Sequence, residues 1–274
     1  MDRNCNANRQ MAKPSNLSAF PSPLEGEGQG GGCHCDDPTQ LESALATASP
    51  PASLYRLLAW LSPAFPVGAY TYSHGLEYAV EARLVRDAAT ARAWLQDILE
   101  HGASRADVTL LCEAARAAGR HDWPALFAIA ELAAAFQPTR ELALESQAQG
   151  RAFVEAATKT WDCEALRQLR RGWEGPIAYP VAVGVLGAGH GIALADLAHG
   201  FVQAFIANLV SAAVRLVPLG QTDGQLLIAA LETAAHEAAT AGLVTPLDDI
   251  GTATLMVDHC SMRHETQYTR LFRS

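Results

Sequence analysis

From Pro176 to Val214 the chain carries a single formal charge, Asp196. A stretch so apolar has to be hidden from water, inside a protein core or inside a lipid bilayer. About 20 apolar residues suffice to cross a bilayer, and Ile177 to Leu197 is the window to test. It contains Pro180, Gly184, Gly187, Gly189, Gly191, His190 and Asp196, and its flanks show no positive-inside asymmetry. The expected reading is therefore a buried pair of central helices with no membrane span, the small residues letting two backbones approach closely. A phosphate-binding loop is excluded, because Gly189-His190-Gly191 runs into Ile192 rather than into Gly-Lys-Ser/Thr.

The rest of the chain has to wrap that segment, and its composition favours helices. Of 274 residues, 49% are hydrophobic and 18% charged, which excludes disorder of the whole chain. Alanine occurs 52 times, and strand-favouring types are comparatively scarce. Asp87 fits the cap of a helix marked by Trp94, Leu95, Ile98 and Leu99. The pattern continues to Ala115, so that helix is either buried on several sides or broken near Gly102. Asp122 and Pro124 open another helix, Pro138 ends it, and Thr139 caps a third running towards Trp161. Phe201, Val202, Phe205, Ile206, Leu209 and Val210 form a helical stripe stopped by Pro218. Thr222-Asp223-Gly224-Gln225 fits a capping box for the next helix, and Thr245-Pro246 is expected to open the last. No run of strand period interrupts this order. The predicted fold is all-α, a single-domain helical bundle over residues 53–274.

Residues 1–52 form a separate region. Pro21 to Gly32 is rich in Pro, Gly, Ser and Glu and is predicted to be a disordered low-complexity tail. It contains Cys33-His34-Cys35, a fragment of a soft-metal site that lacks the further ligands of a closed one. Six scattered cysteines in a chain this long do not make a disulfide framework. With no apolar leader before Ser18, a cytoplasmic location is expected. The net charge of −9 offers no basic field for phosphates, so no nucleic-acid partner is expected.

No catalytic residue is predicted. Ser73 and His74 are neighbours whose side chains would diverge on a helix, and no Gly-x-Ser-x-Gly elbow is present. Glu77 and Glu81 share a helix face and are expected to be a solvated pair. Cys260 and His264, at i and i+4, could offer two ligands to a soft metal, but the expected reading is an amphipathic helix with Cys260 in the core. A zinc-protease helix is ruled out, because His264-Glu265 would require a histidine where Tyr268 stands. Recognition features are stronger. Phe65, Tyr70 and Tyr72 lie in a proline-stiffened turn, placed either to anchor an interface or to plug the end of the bundle. Gln267 to Ser274 sets two arginines beside aromatics in a segment expected to order on a partner.

Taken together, these segments resemble the urease accessory protein UreF family. The resemblance rests on Ser62-Pro63-Ala64-Phe65-Pro66-Val67-Gly68-Ala69-Tyr70-Thr71-Tyr72-Ser73-His74-Gly75-Leu76-Glu77. It is reinforced by Arg140-Glu141-Leu142 with Glu145-Ser146 and Gly150, by Arg215 to Thr222, and by Met262 to Ser274. It implies an all-α homodimer that is not an enzyme and that joins a scaffold protein (UreD, also called UreH) to a nickel-carrying GTPase (UreG). Together they would deliver nickel to apo-urease, with this chain modulating the GTPase and holding no cofactor of its own. The resemblance implies partner contacts at Tyr72, Ser73, Glu77, Gln221, Tyr268, Arg270, Leu271, Phe272 and Arg273. Tyr72 and Arg270 would face the GTPase, while Tyr268, Leu271 and Phe272 would gain order on the scaffold. The alternative is a direct metal-binding chaperone using Cys260 and His264, or Cys33 and Cys35.

Overall fold

The computed structural model describes residues 50–274, so Cys33, Cys35 and the expected disorder of the tail lie outside the described residues. Among the described residues there are α-helices, two single 3₁₀ turns and no strand. The helices are α1 Pro51–Trp60, α2 Leu76–Glu81, α3 Ala88–His101, α4 Ala103–Gly119, α5 Trp123–Ala135 and α6 Arg140–Thr160. They are followed by α7 Glu164–Gly172, α8 Tyr179–Gly189, α9 Leu194–Leu216, α10 Gln221–Ala230, α11 Glu232–Val244 and α12 Leu255–His264. The all-α expectation is met.

Local chemistry explains most of the boundaries. Asp87 accepts a hydrogen bond from the Thr90 amide at 2.8 Å, with the Thr90 hydroxyl reaching back to complete the box. Asp122 caps α5 through the Ala125 amide, and Thr139 caps α6 through the Leu142 amide. The long pattern after Asp87 breaks at Gly102, and α4 beyond it is buried on several faces.

Two boundaries differ from expectation. α10 starts one residue before Thr222, and its cap is the Asp223 carboxylate accepting from the Gly220 amide at 2.8 Å. Asp223 reaches the free amide ahead of the helix, whereas Thr222 already lies within it. Thr245-Pro246 opens only the 3₁₀ turn Leu247–Asp249, and the last helix begins at Leu255.

α8 lies at the centre, against α4, α6 and α7. Its Val181, Val183, Val185 and Leu186 are inaccessible to solvent. Gly184 makes the α4 contact possible: a Cβ there would lie 2.3 Å from the Leu111 carbonyl oxygen. The window Ile177 to Leu197 is not one helix, since α8 ends at Gly189 and α9 begins at Leu194. α9 is long and apolar enough to cross a membrane, but half of that apolar window is buried inside the bundle against α11, α10 and α4. α12 packs on α2 and α6, and this junction carries the candidate site.

Candidate functional site

The site is built around the turn into α2. His74 has φ 56° and Gly75 has φ 78°, so two successive left-handed residues swing the chain into the helix. At Gly75 a side chain has no room, because its Cβ would sit 3.0 Å from the Ser261 amide nitrogen on α12. This close approach places Glu77, on α2, beside His264, on α12. Glu141 on α6 reaches the same ring from the other side.

His264 is completely buried between the two carboxylates. Its Nε2 lies 2.9 Å from Glu77 Oε2 and its Nδ1 lies 2.7 Å from Glu141 Oε2. A neutral imidazole donates from only one nitrogen, so its tautomer sets which of the two carboxylates receives that hydrogen. Burial pushes the Glu141 carboxyl above the usual carboxylate range, opposed by its bonds to His264 and by Arg270.

The last residues form a strap over this floor. The Leu271 and Phe272 amides donate to the Glu77 carboxylate at 2.6 and 2.8 Å. Arg270 Nη1 donates to Glu141 Oε1 at 3.1 Å. The Ser274 hydroxyl donates to Glu145 Oε2 at 2.7 Å, and the Ser73 amide and hydroxyl both donate to the Ser274 carbonyl oxygen. The Arg273 amide donates to the Thr71 carbonyl at 2.8 Å. Phe272 is only 4% exposed and is covered by the Arg215 guanidinium, 4.4 Å from its ring centre. Arg273 stands over Tyr72 at 5.7 Å.

The strap shows where each of the expected contact residues lies. The Phe272 side chain lies in the core of this chain, and its amide is held by Glu77. Ser73 and Glu77 are buried and bind the chain's own strap. Glu77 and Glu81 are not a solvated pair: Glu81 is exposed, whereas Glu77 is enclosed by three donors. Tyr72 is buried, as is Phe65, which packs on Phe153 at 5.1 Å, while Tyr70 projects into solvent. Tyr268 and Leu271 are exposed, Arg270 keeps 41% of its side chain exposed, and Arg273 is exposed. Gln221 is exposed at the start of α10.

The local metal pair is also accounted for. Both His264 nitrogens are engaged by carboxylates, and burial pushes the Cys260 thiol up to about 11, away from the thiolate a metal needs. Among the described residues no group of three or more His, Cys, Asp or Glu could hold a metal ion.

Beside the strap lies a cavity of about 280 Å³, bounded by the turn before α2, α6 and α9. His74, Asp107 and Glu145 supply its imidazole and carboxyl groups. His74 Nδ1 is buried without a hydrogen-bond partner, 3.6 Å from Glu145 Oε2. Burial lowers the His74 pKa, but the carboxylates of Glu145, Asp107 and Asp258 outweigh it, and the net shift is upward. Burial pushes Asp107 up to about 7, with His74 and the Gln137 amide opposing. Sequence reasoning missed this cluster. Its one visible signal was Glu141, Glu145 and Gln149 at four-residue spacing along α6, which puts three polar groups on one face that turns out to be buried.

A model of the UreF family matches residues 85–232. The chain belongs to the UreF family. A relative named urease accessory protein UreF from Rhodopseudomonas palustris (strain TIE-1) is 53% identical over 223 residues, covering 81% of this chain and 93% of the relative. Another of that name, from strain BisB18, is 51% identical over 233 residues, covering 85% and 97%. A UreF from Bradyrhizobium diazoefficiens is 51% identical over 223 residues, covering 81% and 92%. The family assignment thus agrees with the resemblance seen in the turn before α2, in α6, in the loop after α9 and in the strap.

Proposed function

We propose that this UreF chain is a urease accessory protein that works by docking rather than by catalysis. It links the nickel-carrying GTPase UreG to the scaffold UreD/UreH, modulates the GTPase, and so assists delivery of nickel to apo-urease in the cytoplasm. The homodimer is part of this reading. Nickel is cargo of the complex, with no resident cofactor in this chain.

One observation carries the proposal. The strap's backbone is fixed by buried carboxylates, yet it turns Tyr268, Arg270, Leu271 and Arg273 outwards. A rigid backbone presenting an aromatic, an aliphatic and two guanidinium groups loses little conformational entropy on docking. Tyrosine and arginine are also the residues that most often dominate interfaces. The names of the relatives, each a urease accessory protein, support the same reading.

Co-purification of the full chain with the GTPase and the scaffold tests it. Tyr268→Ala and Arg270→Ala should each reduce retention of a partner by about thirtyfold, the effect of truncating a residue worth about 2 kcal/mol at an interface centre. Melting should change little for Tyr268→Ala. For Arg270→Ala it should correspond to about 1 kcal/mol or less, since the Glu141 pair is partly exposed. Arg270→Lys should restore retention only in part, because a point charge lacks the planar fork. Full retention by both alanine variants would overturn the assignment of the strap.

A further inference from the structure

Away from the strap, His199 on α9 and His236 on α11 face each other at the surface, Nε2 to Nδ1, at 3.0 Å. Their rings are 4.9 Å apart, centre to centre. His199 Nδ1 lies 2.7 Å from the Ala195 carbonyl oxygen, one helical turn back. A carbonyl oxygen only accepts, so Nδ1 carries the hydrogen, and in the neutral ring Nε2 then carries a lone pair on the side of His236. A ring nitrogen tied to a backbone carbonyl while the other is left basic is the arrangement that fixes metal-binding histidines in protein sites.

We propose that His199 and His236 form a surface bis-histidine site for a divalent first-row transition ion, with nickel(II) or copper(II) favoured. The inference does not depend on the docking role of the strap. With metal–nitrogen bonds of about 2.1 Å, two nitrogens 3.0 Å apart subtend about 90° at the ion. That is the cis angle of octahedral or square-planar coordination rather than the wider tetrahedral angle zinc prefers. Imidazole is a suitable donor for nickel and copper, whereas magnesium and calcium demand oxygen.

Binding balances without a net change in protons. In the empty pair the His236 Nδ1 hydrogen is donated to His199 Nε2. On binding, that hydrogen moves through solvent to His236 Nε2, and both freed lone pairs bond to the ion. α9 and α11 are packed together, so the two ligands come from elements already held in place. No third side chain of ligating type completes the group among the described residues. The remaining positions are therefore filled by water or by donors of another molecule, and the ion is exchangeable.

The test is calorimetric titration of the full chain with nickel(II), alongside His199→Gln, His236→Gln and a Cys33→Ser/Cys35→Ser variant. Losing a group that only orients a ligand weakens metal sites by about 10–100-fold, so loss of a ligand itself should weaken binding by at least about tenfold. The parent and the cysteine variant should bind one ion alike, and both histidine variants should bind at least tenfold more weakly. Copper(II) should show two imidazole nitrogens by electron paramagnetic resonance in the parent and one in either histidine variant. Nickel should raise the melting temperature of the parent, by clipping α9 to α11, and should leave both histidine variants unmoved. Equal nickel affinity in the parent and either histidine variant would overturn the proposal, as would loss of binding in the cysteine variant alone or no binding by the parent.

Discussion

The α4–α8 contact and the floor of the strap are buried to a similar depth, but they are held by opposite means. At the first, the helices touch backbone to backbone at Gly184, flanked by Val181, Val183, Leu110 and Leu111, all inaccessible to solvent. At the second, Glu77, Glu141, Glu145 and His264 are buried beneath a segment of extended chain whose amides and hydroxyl they receive. Apolar packing is undirected and is stabilised by contact area and density. A buried carboxylate is costly unless every donor arrives, so it specifies one backbone path. The central contact cannot open without unfolding the bundle. The strap stays closed while its carboxylates are in place, and only their removal should let it open into water, where its donors and acceptors are again satisfied.

This contrast sets the order of effects to be expected. Gly184→Val should be the most damaging change, since its Cβ alone would lie 2.3 Å from the Leu111 oxygen and α4 would have to move away from α8. Overpacking of this kind costs about 3 kcal/mol or more when backbone is the obstacle. Urea denaturation should show a large drop in midpoint, and a loss below about 1 kcal/mol would break the account of the central contact.

Glu77→Ala comes second. It strands two amides and one His264 nitrogen, a penalty of several kcal/mol if all stayed buried. Opening of the strap in this variant should limit the loss, because the stranded groups regain water. Hydrogen exchange should therefore show the amides of Leu271 and Phe272 unprotected while those of α4 and α8 keep their protection. Uniform loss of protection across both regions would show that the strap and the core unfold as one unit.

A third effect is a pH dependence at the cavity beside the strap. Asp107 is raised from 3.8 to about 7, so between those values the folded chain holds a proton that the unfolded chain has released. Stability therefore falls as pH rises through that window. His74, also raised, contributes stability that is present below its ordinary value and is lost as pH rises through its folded one. Both groups act in one direction, and the denaturation midpoint should decline between pH 5 and pH 8. Asp107→Asn should flatten that slope. A parent more stable at pH 8 than at pH 5 would contradict the assignment.

Part of this molecule was legible one residue at a time. Asp87, Asp122 and Thr139 cap the helices they were expected to cap, because a cap is a bond between a side chain and an amide three residues away. The uncharged run from Pro176 to Val214 became the buried α8 and the half-buried α9, because apolar length and glycine spacing are local properties. The motif residues from Ser62 to Glu77 and from Met262 to Ser274 were enough to suggest the family.

Tertiary structure alone decided what those motifs do. Glu77 meets Leu271 and Phe272 across 194 and 195 residues, and Glu141 meets His264 across 123. No periodicity reports such a pairing, since an acidic residue near a helix start reads as solvated until its donors are known. The same holds for His199 and His236, each unremarkable on its own helix and 3.0 Å apart once α9 packs on α11. Sequence determined which segments become helices and which faces are apolar, because those follow from neighbours within four residues. The pairing of buried charges and of surface ligands depends on how the helices cross, and that is settled only when the whole apolar surface is packed at once.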